Sequence, residues 1–192
     1  MNEGKIRCNW CEGSELYRAY HDKEWGVPLH DDQQLFEFLI LEGFQAGLSW
    51  STILNKRAAF RDAFDEFDAS VIVNYTPQKV EELLNNKGIV RNRLKINAAI
   101  KNAKAFLHMQ KVHDSFNQYI WEFVNHQPIQ NSFKHLSEVP ATTNVSDAMS
   151  KQLKKDGFSF VGSTICYAFM QATGMVNDHI ISCYRHSECK RS

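Results

Sequence analysis

Apolar residues recur along most of this chain every three or four positions, which is the spacing of amphipathic α-helices. No run alternates convincingly between apolar and polar residues, the pattern of a half-buried strand. Helix-start signals stand at Asp31-Asp32, and at Thr76-Pro77 a capping residue precedes a first-turn proline. The predicted apolar stripes lie at 35–40, 50–64, 80–84, 96–107, 116–124, 149–153 and 165–170. The pattern therefore predicts an all-α fold.

The predicted helix ends and the lack of a linker sequence indicate how many domains the chain forms. The stripe at 149–153 is predicted to belong to a helix that begins at Ser146 and ends at Gly157. The least regular stretch, 126–145, contains two prolines, and no stretch rich in Pro, Gly or Ser divides the chain. With 192 residues and 43% hydrophobic composition, the chain can bury one sizeable core. We expect residues 1–192 to form a single domain.

Composition predicts the cellular location of the protein and the chemical state of its cysteines. No apolar run approaches the roughly 18 residues that a membrane span needs, and the N-terminus has no apolar signal-peptide stretch. We therefore expect a cytoplasmic protein with no membrane partner and, since nothing in the sequence indicates an oligomer, a monomer. The five cysteines are Cys8, Cys11, Cys166, Cys183 and Cys189. Their odd number argues against a disulfide framework and favours metal ligation or buried thiols.

Charge is balanced overall but unevenly distributed. The 22 basic and 22 acidic residues cancel, which by itself argues against a general nucleic-acid binder. Between Leu83 and His113, however, the chain has no acidic residue. The basic residues of this window are Lys87, Arg91, Arg93, Lys95, Lys101, Lys104 and Lys111. The window predicts either a basic face that contacts a partner on one side or an ordinary solvated helix face, and charge alone does not distinguish them.

Four residues near the two chain ends are candidate metal ligands: Cys8, His21, His179 and Cys183. His179 and Cys183 are one helical turn apart, so both side chains could face one point. Two thiolates and two imidazoles make the closed tetrahedral set of a structural zinc site. Two alternatives stay open on spacing alone. Cys8-x2-Cys11 has knuckle spacing and would make Cys11 the ligand instead of His21, and these residues could also be ordinary buried cysteines and surface histidines.

The segment LLNNKGIVRNRLK, residues 83–95, predicts two helices joined by a tight turn. We expect the first helix to end near Asn86, the turn to surround Gly88 and the second helix to begin near Arg91. Over about 80–106 this resembles a helix-hairpin-helix element. A plain helical hairpin within a bundle would have the same pattern.

A helix-hairpin-helix element would place several groups against a DNA backbone. Gly88 has no Cβ, so a phosphate could approach its backbone closely. Helix N-terminal amides would bind that phosphate without reading the base sequence. Arg91, Arg93 and Lys95 lie where they could neutralise neighbouring phosphates.

Two segments, YRAYHDKEWG and LEGFQAGLSW, combine aromatic residues with a carboxylate. Glu42 lies among apolar residues, and a glutamate is rarely buried without a partner. Aromatic rings around a buried carboxylate form a receptor for a flat cationic base, because ring faces attract positive charge and the carboxylate pairs with an amine. The alternative is an aromatic core in which Glu42 caps a nearby backbone turn.

Five long strings in this chain resemble the bacterial 3-methyladenine DNA glycosylase I family. They are AYHDKEWGVP, LFEFLILEGFQAGLSW, WEFVNHQP, SDAMSKQLKKDGFSFVG and TICYAFMQATGMVNDH. The resemblance covers nearly the whole chain, from RCNW to HIISC. It implies the helix-hairpin-helix glycosylase fold, in a branch in which one structural zinc ion joins the N- and C-terminal segments. It also implies an enzyme that releases 3-methyladenine from alkylated double-stranded DNA.

The resemblance also implies roles for individual residues. The zinc ligands it implies are Cys8, His21, His179 and Cys183, which decides against Cys11. The base pocket it implies consists of Trp10, Tyr17, Tyr20, Glu42 and Trp50. Within that pocket Glu42 recognises the base, and Glu42 and Tyr20 are the expected catalytic residues. Gln45 and Leu48 match positions that fill or wedge the gap left by the flipped nucleotide.

Other functions and reaction types are less well supported by the sequence. A zinc hydrolase needs an open coordination position for water, which a closed set of two cysteines and two histidines does not leave. A non-catalytic damage-recognition module would not need the carboxylate among aromatics. A bifunctional glycosylase needs an amine nucleophile. The pocket segments supply Tyr, Trp, Glu and Gln, and the nearby Lys23 lies in a polar string that is expected to be solvated. The hairpin lysines are expected to face phosphates, so water is the expected nucleophile.

Overall fold

The computed structural model describes residues 4–190, which form a mostly helical protein, as predicted. Its α-helices are α1 Glu15–Lys23, α2 Asp32–Gln45, α3 Trp50–Ala63, α4 Ala69–Ile72, α5 Pro77–Asn85, α6 Arg93–His113, α7 Phe116–Trp121, α8 Asn144–Lys155, α9 Ser163–Ala172 and α10 Tyr184–Cys189. Short 3-10 helices lie at Asn9–Gly13, Asp65–Phe67, Glu122–Val124 and Leu136–Glu138. Strands β1 (Ile129–Gln130) and β2 (Val176–Asn177) form one short parallel pair, which the sequence pattern does not predict. Nowhere in 4–190 is a helix both long and apolar enough to cross a bilayer.

Capping residues begin the helices largely where the sequence predicts. The side chain of Asp31 accepts from the backbone N–H of Gln34 at 2.9 Å, and Thr76 caps α5 ahead of its first-turn proline. The prediction that Ser146 opens a helix is wrong. Helix α8 begins at Asn144 with Thr143 as its cap, and Ser146 lies one turn inside, where it hydrogen-bonds back to Thr143.

Helix α2 lies at the centre of the fold. Its residues from Leu35 to Phe44 are all buried, because α3, α6, α7 and α9 pack around it. Two of these buried residues are glutamates. Glu37 is paired with Arg57 at 2.6 Å and with Arg61 at 3.0 Å. Within residues 4–190, Glu42 has no such cation beside it.

Candidate functional site

Cys8, His21, His179 and Cys183 meet at a buried point where the two ends of the chain come together. Their ligand atoms all lie within 4.8 Å of one another. The Sγ of Cys183 is 3.4 Å from Nε2 of His21 and 3.6 Å from Nδ1 of His179, and the Sγ of Cys8 is 3.7 Å from that same Nδ1. Zn–S bonds of ~2.3 Å and Zn–N bonds of ~2.0 Å at tetrahedral angles give S···N separations of about 3.6 Å. The cluster could therefore hold a metal ion that joins the N- and C-terminal segments.

Hydrogen bonds outside the cluster fix which nitrogen of each imidazole faces it. The Nδ1 of His21 bonds Oδ1 of Asp22 at 2.9 Å, and the Nε2 of His179 bonds the carbonyl of Trp25 at 3.0 Å. Arg7 holds both carboxylate oxygens of Asp22 at 2.8–3.1 Å. Burial opposes ionisation of Asp22, but the bonds from Arg7 and His21 outweigh it and hold the pKa of this carboxyl well below its usual range.

The backbone brings these four residues together in a different way from the one the sequence suggests. The segment from His179 to Cys183 is not helical. It is a turn between β2 and α10, closed by the N–H of Cys183 donating to the carbonyl of Ile180 at 2.8 Å. Cys11 is buried in the 3-10 helix that follows Cys8, outside the cluster, and α1 supplies His21 instead.

A cavity of about 380 Å³ lies beside this cluster. Its lining residues are Trp10, Tyr17, Tyr20, Trp25, Glu42, Gln45, Trp50, Leu136, Val139, Pro140, Ala168 and Gln171. All five residues expected to bind a base are among them, and so is Gln45. The sequence pattern indicates no role for the other six. Ala168 and Gln171 could have been found as neighbours on one face of α9, whereas 136–140 lies in the irregular stretch without any periodic signal.

Glu42 is the only acidic residue among those lining the cavity. Its side chain is 3% exposed and has no hydrogen-bond or ion-pair partner within the described residues, 4–190. Burial raises the pKa of Glu42 to about 8. Trp50 contributes a buried Nε1–H that likewise lacks an acceptor in this part of the chain. A buried carboxyl and a buried donor without protein partners are costly unless a ligand satisfies them.

Aromatic rings form the walls around Glu42. The ring centroids of Trp10 lie 5.0 Å from those of both Tyr17 and Trp25, and Tyr20 lies 5.5 Å from Trp50. Burial raises the pKa of Tyr20 well above its ordinary value, so its phenol stays neutral. The cavity therefore offers flat apolar surfaces, neutral hydroxyls and one titratable carboxyl, which suit a planar, polar, cationic ligand.

The rings also connect the cavity to the metal cluster. Trp25 packs against His179 with centroids 4.6 Å apart, and Trp10 packs against His21 at 5.3 Å. Two walls of the cavity therefore rest on the two histidines of the cluster.

The connection between α2 and α3 forms the cavity rim, since Gln45 and Trp50 at its two ends line the cavity. The Nε2 of Gln45 donates to the carbonyl of Leu48 at 3.1 Å, and the side chain of Leu48 is 39% exposed. An exposed leucine beside an aromatic cavity is available to pack against a large ligand.

The predicted hairpin consists of α5 and α6 with residues 86–92 between them. Its turn lies against α3, where the Nζ of Lys56 donates to the carbonyls of Lys87 and Gly88 at 3.0 and 3.2 Å. The structure explains the glycine at position 88 differently from the predicted phosphate contact. A Cβ there would lie 3.0 Å from the Cβ of Ala59 and 2.9 Å from Oδ1 of Asn86, so a side chain would clash with the protein itself. The interpretation that Gly88 leaves room for a phosphate is therefore not needed to explain this glycine.

The three hairpin cations have different surroundings. Arg91 and Arg93 are exposed, and Arg93 pairs with Glu81 at 2.7 Å. Lys95 departs from the prediction that it faces phosphates. It is buried, and its Nζ donates to two backbone carbonyls at the end of α2, at 2.8 and 2.6 Å. Burial lowers the pKa of Lys95.

Lys95 links the hairpin to the cavity. The two carbonyls it binds belong to Phe44 and Ala46, on either side of Gln45 at the cavity rim. These carbonyls have lost their helical partners because α2 ends there. The start of α6, with its exposed arginines, is thus held next to the rim.

The chain is similar to known DNA glycosylases over nearly its full length. It is 50% identical over 186 residues to a DNA-3-methyladenine glycosylase of Haemophilus influenzae, covering 97% of this chain and 98% of the relative. It is 51% identical over 177 residues to DNA-3-methyladenine glycosylase 1 of Escherichia coli, covering 92% and 95%.

Solved structures of 3-methyladenine DNA glycosylases are also similar to this chain. A crystal structure of a 3-methyladenine DNA glycosylase I superposes with a TM-score of 0.91 at 51% identity, covering 93% of this chain and 98% of that one. A structure of the Staphylococcus aureus enzyme, solved to explain its recognition of 3-methyladenine, superposes with a TM-score of 0.89 at 34% identity over 96% of both chains. The profile of the methyladenine glycosylase family matches residues 10–186. This chain therefore belongs to the methyladenine glycosylase family.

Proposed function

We propose that this protein is a monofunctional DNA glycosylase that flips 3-methyladenine out of alkylated double-stranded DNA and releases it by hydrolysis, leaving an abasic site. The observation that carries the proposal is Glu42, a buried carboxyl that lies in an aromatic cavity and has no partner among residues 4–190. Relatives with half of their residues identical are DNA-3-methyladenine glycosylases, which supports the same activity here.

The chemistry of the lesion matches this cavity. A base inside the duplex must be extruded at a cost of a few kcal/mol, which is least for a damaged base. A 3-methyladenine nucleotide carries a positive charge on its ring, so aromatic faces and a carboxylate bind it better than they bind neutral adenine. The charge also weakens the glycosidic bond. Selective binding of the cation can therefore supply most of the discrimination between damaged and normal bases.

The raised pKa of Glu42 suits both the binding of the cationic base and its release as a neutral molecule. A cationic base in the cavity lowers that pKa, so Glu42 is ionised opposite the lesion. The base leaves as a neutral molecule, and the buried carboxyl can then take up a proton again. We propose that Glu42 and Tyr20 act on the reacting base and that Trp10, Tyr17 and Trp50 hold its ring.

We further propose that duplex DNA lies across the cavity rim and the hairpin. Gln45 and Leu48 fill the gap left by the flipped nucleotide, and Leu48 is exposed where it can do so. The helix-hairpin-helix element at about 80–106 contacts the phosphates through Arg91 and Arg93. Lys95 and Gly88 have structural roles in holding that element against α2 and α3.

We propose that the metal is one structural zinc ion and that the protein is a cytoplasmic, single-domain monomer over residues 1–192. Two cysteines and two histidines are the donor set that zinc prefers, and four protein ligands leave no position for a catalytic water. Core residues from both halves of the chain, such as Phe36 and Phe169, belong to one hydrophobic cluster, which supports a single domain.

One experiment tests the activity and the reaction type together. Alkylated duplex DNA is incubated with the protein, the released bases are identified, and borohydride-treated and untreated samples are run on a denaturing gel. We expect release of 3-methyladenine, no covalent adduct, and strand breaks only after alkali, because no cavity-lining residue is a lysine. A trapped adduct or breaks before alkali would overturn the monofunctional mechanism. Comparable release of uracil, which is neutral, would overturn selection by charge.

A further inference from the structure

Gln171 on α9 lines the cavity close to a buried network that the proposed function does not use. The centre of that network is Asp178, which is 1% exposed. Three side-chain donors surround its carboxylate. Tyr167 and Gln171 bond Oδ2 at 2.6 and 2.8 Å, and Asn131 bonds Oδ1 at 2.7 Å.

This network fixes the orientation of the Gln171 amide. A carboxylate can only accept hydrogen bonds, so the amide nitrogen of Gln171 must face Asp178. Burial and the bond to Asp178 raise the pKa of Tyr167, so the phenol stays a neutral donor to the same oxygen. The amide oxygen of Gln171 therefore turns away from Asp178.

The Oε1 of Gln171 has no hydrogen-bond partner in the described part of the chain. Gln171 and Ala168 form the α9 wall of the cavity, one helical turn apart, next to Trp25. The wall is anchored from behind, because the N–H of Gly26 donates to the backbone carbonyl of Gln171 at 3.0 Å. Gln171 is thus a cavity-lining residue whose amide is held in one orientation and whose carbonyl oxygen has no partner within residues 4–190.

We propose that Gln171, held by Asp178, is a second acceptor for the exocyclic amino group of the bound base and makes the cavity select amino-purines over oxo-purines. The proposal rests on the proposed function. An exocyclic amine has two N–H donors, so Glu42 and Gln171 can each accept one. A 6-oxo purine would instead turn a carbonyl toward the Oε1 of Gln171, leaving two acceptors facing each other. Asp178 is a positioning residue, because it acts only through Gln171.

The test measures binding of two free bases, 3-methyladenine and 3-methylhypoxanthine, which differ at position 6 by an amino or an oxo group. The fluorescence of the cavity tryptophans reports binding to the purified protein. Gln171→Met removes the acceptor and keeps the side-chain length. We expect this variant to bind 3-methyladenine roughly ten-fold more weakly and 3-methylhypoxanthine no worse than before, since only the amine loses a partner. The preference between the two bases should then shrink about ten-fold.

Asp178→Asn tests whether Asp178 positions the Gln171 amide, and Tyr167→Phe is the matched control. An asparagine at 178 can donate as well as accept, which frees the Gln171 amide to turn, so the preference should fall here as well. Tyr167→Phe removes a bond to the same carboxylate oxygen but leaves Asp178 able to hold Gln171. It should lower the melting temperature and keep the wild-type preference. Metal content is measured alongside, because Asp178 adjoins His179.

The outcomes separate this proposal from the proposed function. If the wild-type protein neither binds nor releases 3-methyladenine, the proposed function itself fails. If the wild type does both and Gln171→Met keeps the full preference, the acceptor role of Gln171 is overturned. Equal losses of affinity for both bases in Gln171→Met would also overturn it, because they would show a packing role without selectivity.

Discussion

Glu42 combines two properties that conflict within one residue. It is buried without a partner in the part of the chain that the structure describes, which costs stability. It is also the one carboxyl among the residues that line the cavity, where it is available to a cationic ligand. Glu42→Gln keeps the shape and removes the titratable carboxyl. We expect this variant to bind 3-methyladenine at least about ten-fold more weakly and to release it from DNA more slowly. A variant with wild-type binding and release would show that Glu42 is only structural.

The same substitution should make the protein more stable, and the gain should depend on pH. The folded state raises the pKa of Glu42 from 4.5 to about 8, so below 4.5 the carboxyl is protonated in both states and adds no penalty. Between these values the unfolded chain ionises first, and the free energy of unfolding of the wild type falls as pH rises. Above 8 the penalty is complete, at most roughly 5 kcal/mol. Urea unfolding of both proteins at pH 5 and pH 8.5 measures it, and a difference that does not change with pH would contradict this expectation.

Around the start of α6, neighbouring basic residues differ in whether they are exposed or buried. Arg91 and Arg93, before and at its start, are exposed, whereas Lys95 is buried against the end of α2. Arg91→Ala with Arg93→Ala should weaken binding to any duplex and reduce its salt dependence by about one unit per lost phosphate contact. Binding of the free base should not change. An unchanged salt slope would mean that this surface is only solvated.

Lys95→Met is the contrasting change in the same element. It should leave the carbonyls of Phe44 and Ala46 without a donor and lower the free energy of unfolding by about 1–3 kcal/mol. It should not change the salt slope of DNA binding, since the ammonium is already engaged inside the protein. Denaturant melts and salt titrations on the two sets of variants distinguish these roles. A reduced salt slope with unaltered stability in Lys95→Met would show that the lysine faces DNA after all.

At the scale of the whole molecule, the metal cluster joins segments that are about 160 residues apart in sequence and supports two walls of the cavity. Elemental analysis should find one zinc per chain. Cys8→Ala should lower metal content to near zero and reduce the melting temperature, because the ion no longer connects the chain ends. Cys11→Ala, a change at another buried cysteine three positions away, should do neither. Metal lost from the Cys11 variant and kept by His21→Ala would show that the ligand set is wrong.

Removing the metal should also affect the cavity, because Trp25 and Trp10 pack on His179 and His21. After chelation we expect weaker binding of 3-methyladenine even at temperatures where circular dichroism shows that the helices persist. Binding that survives full removal of the metal would show that these walls do not depend on it.

The sequence by itself determined the helices and which residue types could form a site. Helical periodicity and caps such as Asp31 and Thr76 act over a few residues, so a local reading finds them. The motif strings then indicated the family, and through it the four residues of the metal cluster and the five aromatic and acidic residues that line the cavity. These local signals also limited what the sequence could predict. They could not show that Cys183 follows a turn, or that β1 pairs with β2, because both depend on distant neighbours.

Only the tertiary structure decided which of the candidate groups are free to act. Lys95 reads as a DNA-facing cation in the sequence, yet its partner Phe44 lies 51 positions away and takes the ammonium inside. Gly88 reads as a phosphate contact, yet its missing side chain makes room for α3. Gln171 looks like one polar residue in a helix, yet it lines the cavity and Asp178 holds its amide nitrogen, which turns its amide oxygen away from Asp178. The physical reason is the same in each case: burial and hydrogen-bond partners are properties of the packed chain, and residue type and spacing do not contain them.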